Sequence, residues 1–205
     1  MGLCIAVPAV AGTLSVQANL ASHEPFAGAV ITVSSAATHA PVATVSAIVD
    51  QINLAFVPNI IVVPVGSTVE FPNTDSVSHQ IYSFSPTKRF QLPLYHGKPY
   101  PPVHFDAAGI VTLGCNIHDR MVGYIVVTDA TYFGRTDAHG AWSVPSLPRG
   151  IYHVSIWHPL LRDPVVSLDR DVTISGDQPV TTTVQLAQAL KPAPLQATAR
   201  SRDQY

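Results

Sequence analysis

Apolar residues recur at every second position along much of this chain, the period of a strand with one buried face. Thr13 to Leu20 alternates cleanly, with Leu14, Val16, Ala18 and Leu20 on one side. Ala29 to Val33 is a second short apolar run, and Ser22-His23-Glu24-Pro25 between them reads as a turn. Ser34 to Val45 is small and polar and reads as a linker. A denser pattern follows, with strands expected over Asn59 to Val65, Thr68 to Phe71, His79 to Phe84, Gly109 to Leu113 and Tyr124 to Thr128. Lys88 to Phe105 contains Pro93, Pro99, Pro101 and Pro102, and is expected to be a long surface loop. After Thr131 the texture changes. Thr136-Asp137-Ala138-His139-Gly140 and Pro148-Arg149-Gly150 signal turns, and Trp142 with Val144, then Tyr152, Val154 and Ile156, alternate around them. Val165 to Leu168, Val172 to Ile174 and Val180 to Leu186 are further strand candidates. Beyond Leu190 the chain is polar and Pro-containing, the composition of a disordered tail. The expected fold class is all-β.

The chain has 205 residues, enough for one or two domains with a real core. Eighteen prolines and twelve glycines spaced among Val-rich runs fit many short strands joined by turns. Charged residues are 12% of the chain and the formal net charge is -2. No clustered Lys and Arg surface exists to bind nucleic acid, which excludes that class of partner. No apolar stretch is long enough to span a bilayer as a helix. Leu3 to Ala11 is apolar, and Ala9-Val10-Ala11 matches the small-x-small pattern of an export cleavage site, without the positive residues that normally precede it. Residues 1–11 are therefore either a signal-peptide remnant or an ordinary buried strand. On the first reading the protein is periplasmic or otherwise exported. Cleavage after Ala11 then removes Cys4 and leaves Cys115 as a lone thiol. Such a thiol cannot form an internal disulfide and must be buried, reactive or bound to something.

The chemically informative segment is Gly114-Cys115-Asn116-Ile117-His118-Asp119-Arg120-Met121, which spaces a thiol, an imidazole and a thioether three residues apart. A short loop of that spacing can turn all three toward one point. His79, at the start of an expected strand, is the best candidate for a second imidazole. Two imidazoles, one thiolate and a weak thioether suit copper. Structural zinc would want four Cys or His ligands. A c-type haem would need Cys-x-x-Cys-His, and an iron–sulfur cluster more cysteines. The ligand set read from the sequence is His79, Cys115, His118 and Met121, holding one copper ion per chain. His96 and His104, in the proline-rich stretch, could border the site but read first as surface residues; His158 reads as structural, and His23, His39, His139 and His153 form no constellation.

From about Val45 to Thr128 the chain resembles a cupredoxin, the copper-binding Greek-key β-sandwich of plastocyanin and amicyanin. The short Cys-x-x-His-x-x-Met loop is similar to the amicyanin version. Phe71-Pro72-Asn73-x-Asp75, Tyr82-Ser83-Phe84-Ser85, Leu92-Pro93-Leu94-Tyr95 and Gly114-Cys115-Asn116-Ile117-His118-Asp119 resemble bacterial plastocyanin-like proteins often labelled methylamine utilisation proteins. Many cupredoxins have Asn directly after the first His, tying the two ligand loops together; this chain has Gln80 there. The resemblance implies that His118 is the ligand nearest the surface. Thr131 to Leu186 resembles the carboxypeptidase regulatory-like or transthyretin-like β-sandwich, through Thr136-Asp137-x-x-Gly140 and Leu147-Pro148-x-Gly150-x-Tyr152. Thr13 to Val33 resembles the opening strands of the same fold.

The expected organisation is a signal remnant at 1–11, sandwich strands at 12–40, an inserted copper domain at 41–129, the rest of the second small sandwich at 130–188, and a tail at 189–205. Thr13 to Val33 is expected to pair, antiparallel, with strands after Thr131. The expected function is single-electron transport between redox partner proteins, not enzymatic turnover. The alternatives are copper handling without redox turnover, or a structural module with a vestigial site. Neither the redox partner nor the oligomeric state is legible.

Overall fold

The computed structural model describes residues 11–35, 42–97, 99–161, 169–176 and 178–186. The expectations for 1–10, for 36–41, for Val165 to Leu168 and for the tail beyond Leu190 lie outside the described residues. Every regular element among them is a strand. The chain first forms β1 (Ala11–Leu20) and β2 (Val30–Ser34). Ten strands follow: β3 (Ser46–Ile48), β4 (Asp50–Ile52), β5 (Ala55–Val57), β6 (Ile60–Pro64), β7 (Ser67–Glu70), β8 (His79–Ser85), β9 (Lys88–Tyr95), β10 (Val103–Phe105), β11 (Gly109–Gly114) and β12 (Val122–Thr128). The last five are β13 (Tyr132–Arg135), β14 (Ala141–Pro148), β15 (Gly150–Trp157), β16 (Arg170–Ile174) and β17 (Val180–Leu186). They divide into two compact units, one drawn from Met1–Pro41 and Ala130–Lys191 and one whose described residues lie within Val42–Asp129.

In the first unit, β1 lies between β14 and β17, and a second sheet runs β13-β2-β15-β16. The partners of β1 and β2 all follow Thr131. Leu14, Val16 and Ala18 meet Ile31, Val33, Tyr152, Val154, Ile156 and Ile174 in one core, the period-two faces of both sheets turned inward. The expected antiparallel sense holds for β1–β14. It fails for β1–β17, which is parallel from Leu14↔Val180 to Leu20↔Leu186. A parallel pair needs a long connection, and the chain between these two strands is most of the protein. The Thr136–Gly140 segment is a turn. The Asp137 side chain accepts from the amides of His139 and Ala141 (2.8 and 2.9 Å), and Gly140 takes φ +72. Pro148 and Tyr152 are joined by a hydrogen bond of 2.9 Å from the phenol to the carbonyl.

In the second unit, a five-stranded sheet, β6-β12-β11-β8-β9, faces a three-stranded one, β10-β7-β3. Val63, Ile81, Val111, Leu113, Ile125 and Val127 from the first meet Val69 and Phe105 from the second in one core. The two-strand hairpin β4–β5 contributes Phe56 to it. The expected surface loop over Lys88–Phe105 is corrected here, since it holds β9 and β10. Proline is tolerated in β9 for two reasons. The strand is at the sheet edge, so no ladder bond is required of Pro93. In addition, Ile81 faces Leu92 while His79 faces Tyr95, so Pro93 and Leu94 fall within a bulge. That bulge brings Tyr95 opposite His79. Pro99, Pro101 and Pro102 stay outside the strands.

Candidate metal centre

The candidate donors sit at the ends of three neighbouring strands. His79 opens β8, Cys115 directly follows β11, and Met121 directly precedes β12, with His118 in the turn between. β11 pairs with both β8 and β12, so this end of the sheet gathers all four residues. His79 Nδ1 and His118 Nδ1 are 3.1 Å apart, and Cys115 Sγ lies 3.8 Å from the first and 3.7 Å from the second. Among the described residues these three form the group of His, Cys and acidic side chains able to hold a metal ion. The spacing can be tested against metal geometry. Bond lengths of about 2.0 Å to nitrogen and about 2.3 Å to sulfur place two nitrogens about 3.1 Å apart at roughly 100°, and nitrogen and sulfur about 3.7 Å apart at roughly 120°. The observed triangle fits a first-row transition-metal ion at its centre.

His79 is fully buried and Cys115 is 3% exposed, whereas His118 is partly exposed beside Ile117, which is 53% exposed. Met121 is buried in the same core cluster as Cys115, and its amide donates to the His118 carbonyl (2.9 Å), tightening the loop. Burial first, then the neighbouring His79 ring, lowers the pKa of His118, favouring the neutral imidazole a metal requires.

A hydrogen-bond network that sequence reasoning did not assign surrounds the triangle. His79 Nε2 meets Asp75 Oδ2 at 2.9 Å, and the same oxygen accepts from the Leu54 amide at 2.7 Å. Asp75 Oδ1 accepts from the Ser76 amide at 2.7 Å. Burial pushes the Asp75 carboxyl up, but the Leu54 amide, the His79 ring and the Ser76 amide outweigh it and leave the pKa below its ordinary value. Asn73 donates to the carbonyls of Val77 and Tyr95 (3.0 and 2.8 Å) and accepts from the Asp75 amide (3.1 Å), fixing the loop before His79. Gln51 donates to the Pro72 carbonyl (3.0 Å) and to the Tyr95 hydroxyl, which donates to the Phe71 carbonyl. His96 is exposed, as expected, yet its Nε2 lies 2.9 Å from the Asp75 carbonyl oxygen. Gln80 alternates away from His79 and Ile81 along β8. The hold on His79 therefore comes from the preceding loop. The signal was present in the sequence, in Asn73 and Asp75 of the segment just ahead of His79.

No protein-family model matches the chain, and no curated protein matches it. Solved structures of cupredoxins do. The chain is similar to a purple cupredoxin from Nitrosopumilus maritimus at 27% identity and TM-score 0.37, over 40% of this chain and 99% of that one. It is similar to the reduced state of an amicyanin mutant at 20% identity and TM-score 0.37, over 47% of this chain and 99% of that one. It also matches a Cu-containing nitrite reductase from Thermus scotoductus SA-01 at 27% identity and TM-score 0.38, over 46% of this chain but only 26% of the reductase.

Proposed function

We propose that His79, Cys115, His118 and Met121 hold a single copper ion, and that the protein carries electrons one at a time between redox partner proteins. The observation that carries this reading is the Nδ1–Sγ–Nδ1 triangle of 3.1, 3.7 and 3.8 Å, buried on the His79 and Cys115 side. Zinc would fit the triangle equally well. The choice of copper rests on the fourth residue, since a thioether is a soft, weak donor that suits copper and serves zinc poorly.

Bound copper would supply a one-electron couple. The chain's own residues would do the rest. Cys115 would bind as the thiolate, since a coordinating thiol gives up its proton. The buried His79 and the Val, Leu and Phe core around Cys115 keep water away from the sulfur. Both histidines offer Nδ1, and their loops are braced by the bonds from the Met121 amide to the His118 carbonyl and from the Asn73 side chain to the Tyr95 carbonyl. His118 is the one partly exposed donor and offers the shortest route from the centre to solvent. The exposed Ile117 beside it adds an apolar rim where a partner protein could approach. Among the described residues no helix is long and apolar enough to cross a membrane.

Copper titration with absorption spectroscopy tests the reading. One Cu(II) per chain and an intense visible thiolate-to-copper band are expected, and Cys115→Ser should abolish the band. Reversible cycling between Cu(II) and Cu(I) at an electrode is expected as well. Zinc retained as well as or better than copper, with no band in the copper-loaded protein, would sink the proposal. Copper that binds but cannot be cycled would sink the electron-transfer role.

A further inference from the structure

The hairpin β4–β5 turns through Asn53 (φ 51) and Leu54 (φ 60), both in the left-handed region. A leucine there is uncommon and unfavourable, and it persists only where the surroundings hold it. What holds it is the Asp75 carboxylate, which accepts the Leu54 amide at 2.7 Å. The same hairpin grips the loop ahead of His79 elsewhere. Asp50 accepts from the Thr74 amide and hydroxyl at 3.1 and 2.8 Å, and the Gln51 amide donates to the Pro72 carbonyl at 3.2 Å. Asp75 is buried, and its two oxygens receive the Leu54 and Ser76 amides and face the His79 ring.

An acceptor-only carboxylate at 2.9 Å from Nε2 requires the proton of a neutral His79 to sit on Nε2. The Nδ1 lone pair is then left free, and Nδ1 is the atom that faces Cys115 and His118. A carboxylate hydrogen-bonded to a ligating imidazole also makes that ring a stronger donor. Negative charge passed toward the ion favours the more highly charged Cu(II) over Cu(I).

We infer that Asp75 is the positioning residue of the centre: seated by the Asn53–Leu54 turn, it fixes the tautomer and aim of His79 and lowers the reduction potential of the bound copper. The potential part rests on the copper reading above; the tautomer part does not.

The test uses the full chain and Asp75→Asn. An amide has one acceptor oxygen, so the substituted side chain cannot serve His79 and Leu54 with one atom and Ser76 with the other. In the copper-loaded variant the thiolate band should remain, while the Cu(I) to Cu(II) ratio at fixed applied potential rises at least tenfold, about 59 mV for one electron. A structural role alone would not move the potential with the band intact. An unchanged potential with the band retained overturns the inference and leaves the copper reading standing. The second measurement needs no metal. Imidazole nitrogen NMR of the metal-free protein should show His79 as the Nε2–H tautomer, and Asp75→Asn should give a tautomer mixture. A wild-type His79 protonated on Nδ1 alone overturns the positioning role. If Asp75→Asn cannot be loaded with copper, the tautomer of the metal-free wild type decides.

Discussion

Replacing Tyr95 by Phe removes a single oxygen from the support of the centre, and its cost can be worked from the contacts. Tyr95 faces His79 across the β8–β9 pair and is buried. Burial first, with the Asp50 carboxylate adding, pushes its pKa up to about 12 despite the opposing Gln51 hydrogen bond, so the phenol is neutral under working conditions. Its hydroxyl accepts from Gln51 Nε2 and donates to the Phe71 carbonyl, in surroundings where Gln51 and Phe71 are 0% and 1% exposed. Phenylalanine keeps the ring, including its edge contact with Tyr100 at 5.3 Å. The substitution therefore strands a buried carbonyl and one amide hydrogen. Gln51 retains its bond to the Pro72 carbonyl, which limits the loss on that side. An unsatisfied buried group costs about 1–3 kcal/mol, so about 2 kcal/mol is expected overall. Trp142 and Trp157 both lie in the other unit, so the measurement is made on this unit's own amides. Native-state amide exchange over β8, β11 and β12 reports it, with protection of the slowest amides falling roughly thirtyfold for 2 kcal/mol. In the Gln51→Leu background the same substitution should cost less, because the stranded donor is gone. Protection within twofold of wild type would refute the argument that this hydroxyl supports the loop ahead of His79.

Other outcomes follow from the same contacts. Met121→Leu conserves volume in a buried site, so it should keep copper and raise the potential, at a stability cost under about 1.5 kcal/mol; copper loss as complete as in Cys115→Ser would show that Met121 is not a weak ligand. A Cβ at Gly140 (φ +72) would lie 2.3 Å from the Ala18 carbonyl oxygen and 2.9 Å from the Phe26 amide nitrogen. Both are backbone atoms, so Gly140→Ala should lose about 3 kcal/mol, adding a clash to the left-handed penalty of about 1–2 kcal/mol, and tryptophan fluorescence in urea should show it as an earlier transition. His158 packs edge-on against Phe26 at 4.8 Å, and burial first, then Arg135, lowers its pKa from 6.5 to about 4. A depressed histidine stabilises the fold fully above pH 6.5, and that contribution drains away as pH falls toward 4. Partial solvent contact reduces the effect to about 1–2 kcal/mol. His158→Gln should flatten the acid limb of stability against pH; an unchanged slope would refute this.

What the sequence determined alone was local. Strict alternation in Leu14, Val16 and Ala18 marks a strand because successive side chains on an extended backbone point to opposite faces. Thr136 to Gly140 is readable because Asp and Gly each have a physical reason to be in a turn. Cys115, His118 and Met121 are legible as a set because a short loop constrains where their side chains can go. The strands β3, β4 and β5 have three residues each, too few to show a period, and β9 was hidden by a proline that only an edge position and a bulge make tolerable. The parallel sense of β1 and β17 was decided by the tertiary structure, since nothing in two remote segments records their relative direction. So was the seating of His79 by Asp75, Leu54 and Ser76, with Tyr95 and Gln51 bracing the loop ahead of it. Most of those bonds join a side chain to a backbone group whose residue identity is irrelevant, and Leu54 offers only its amide. Backbone partners leave no mark on the sequence, so they become visible only once the chain has folded around them.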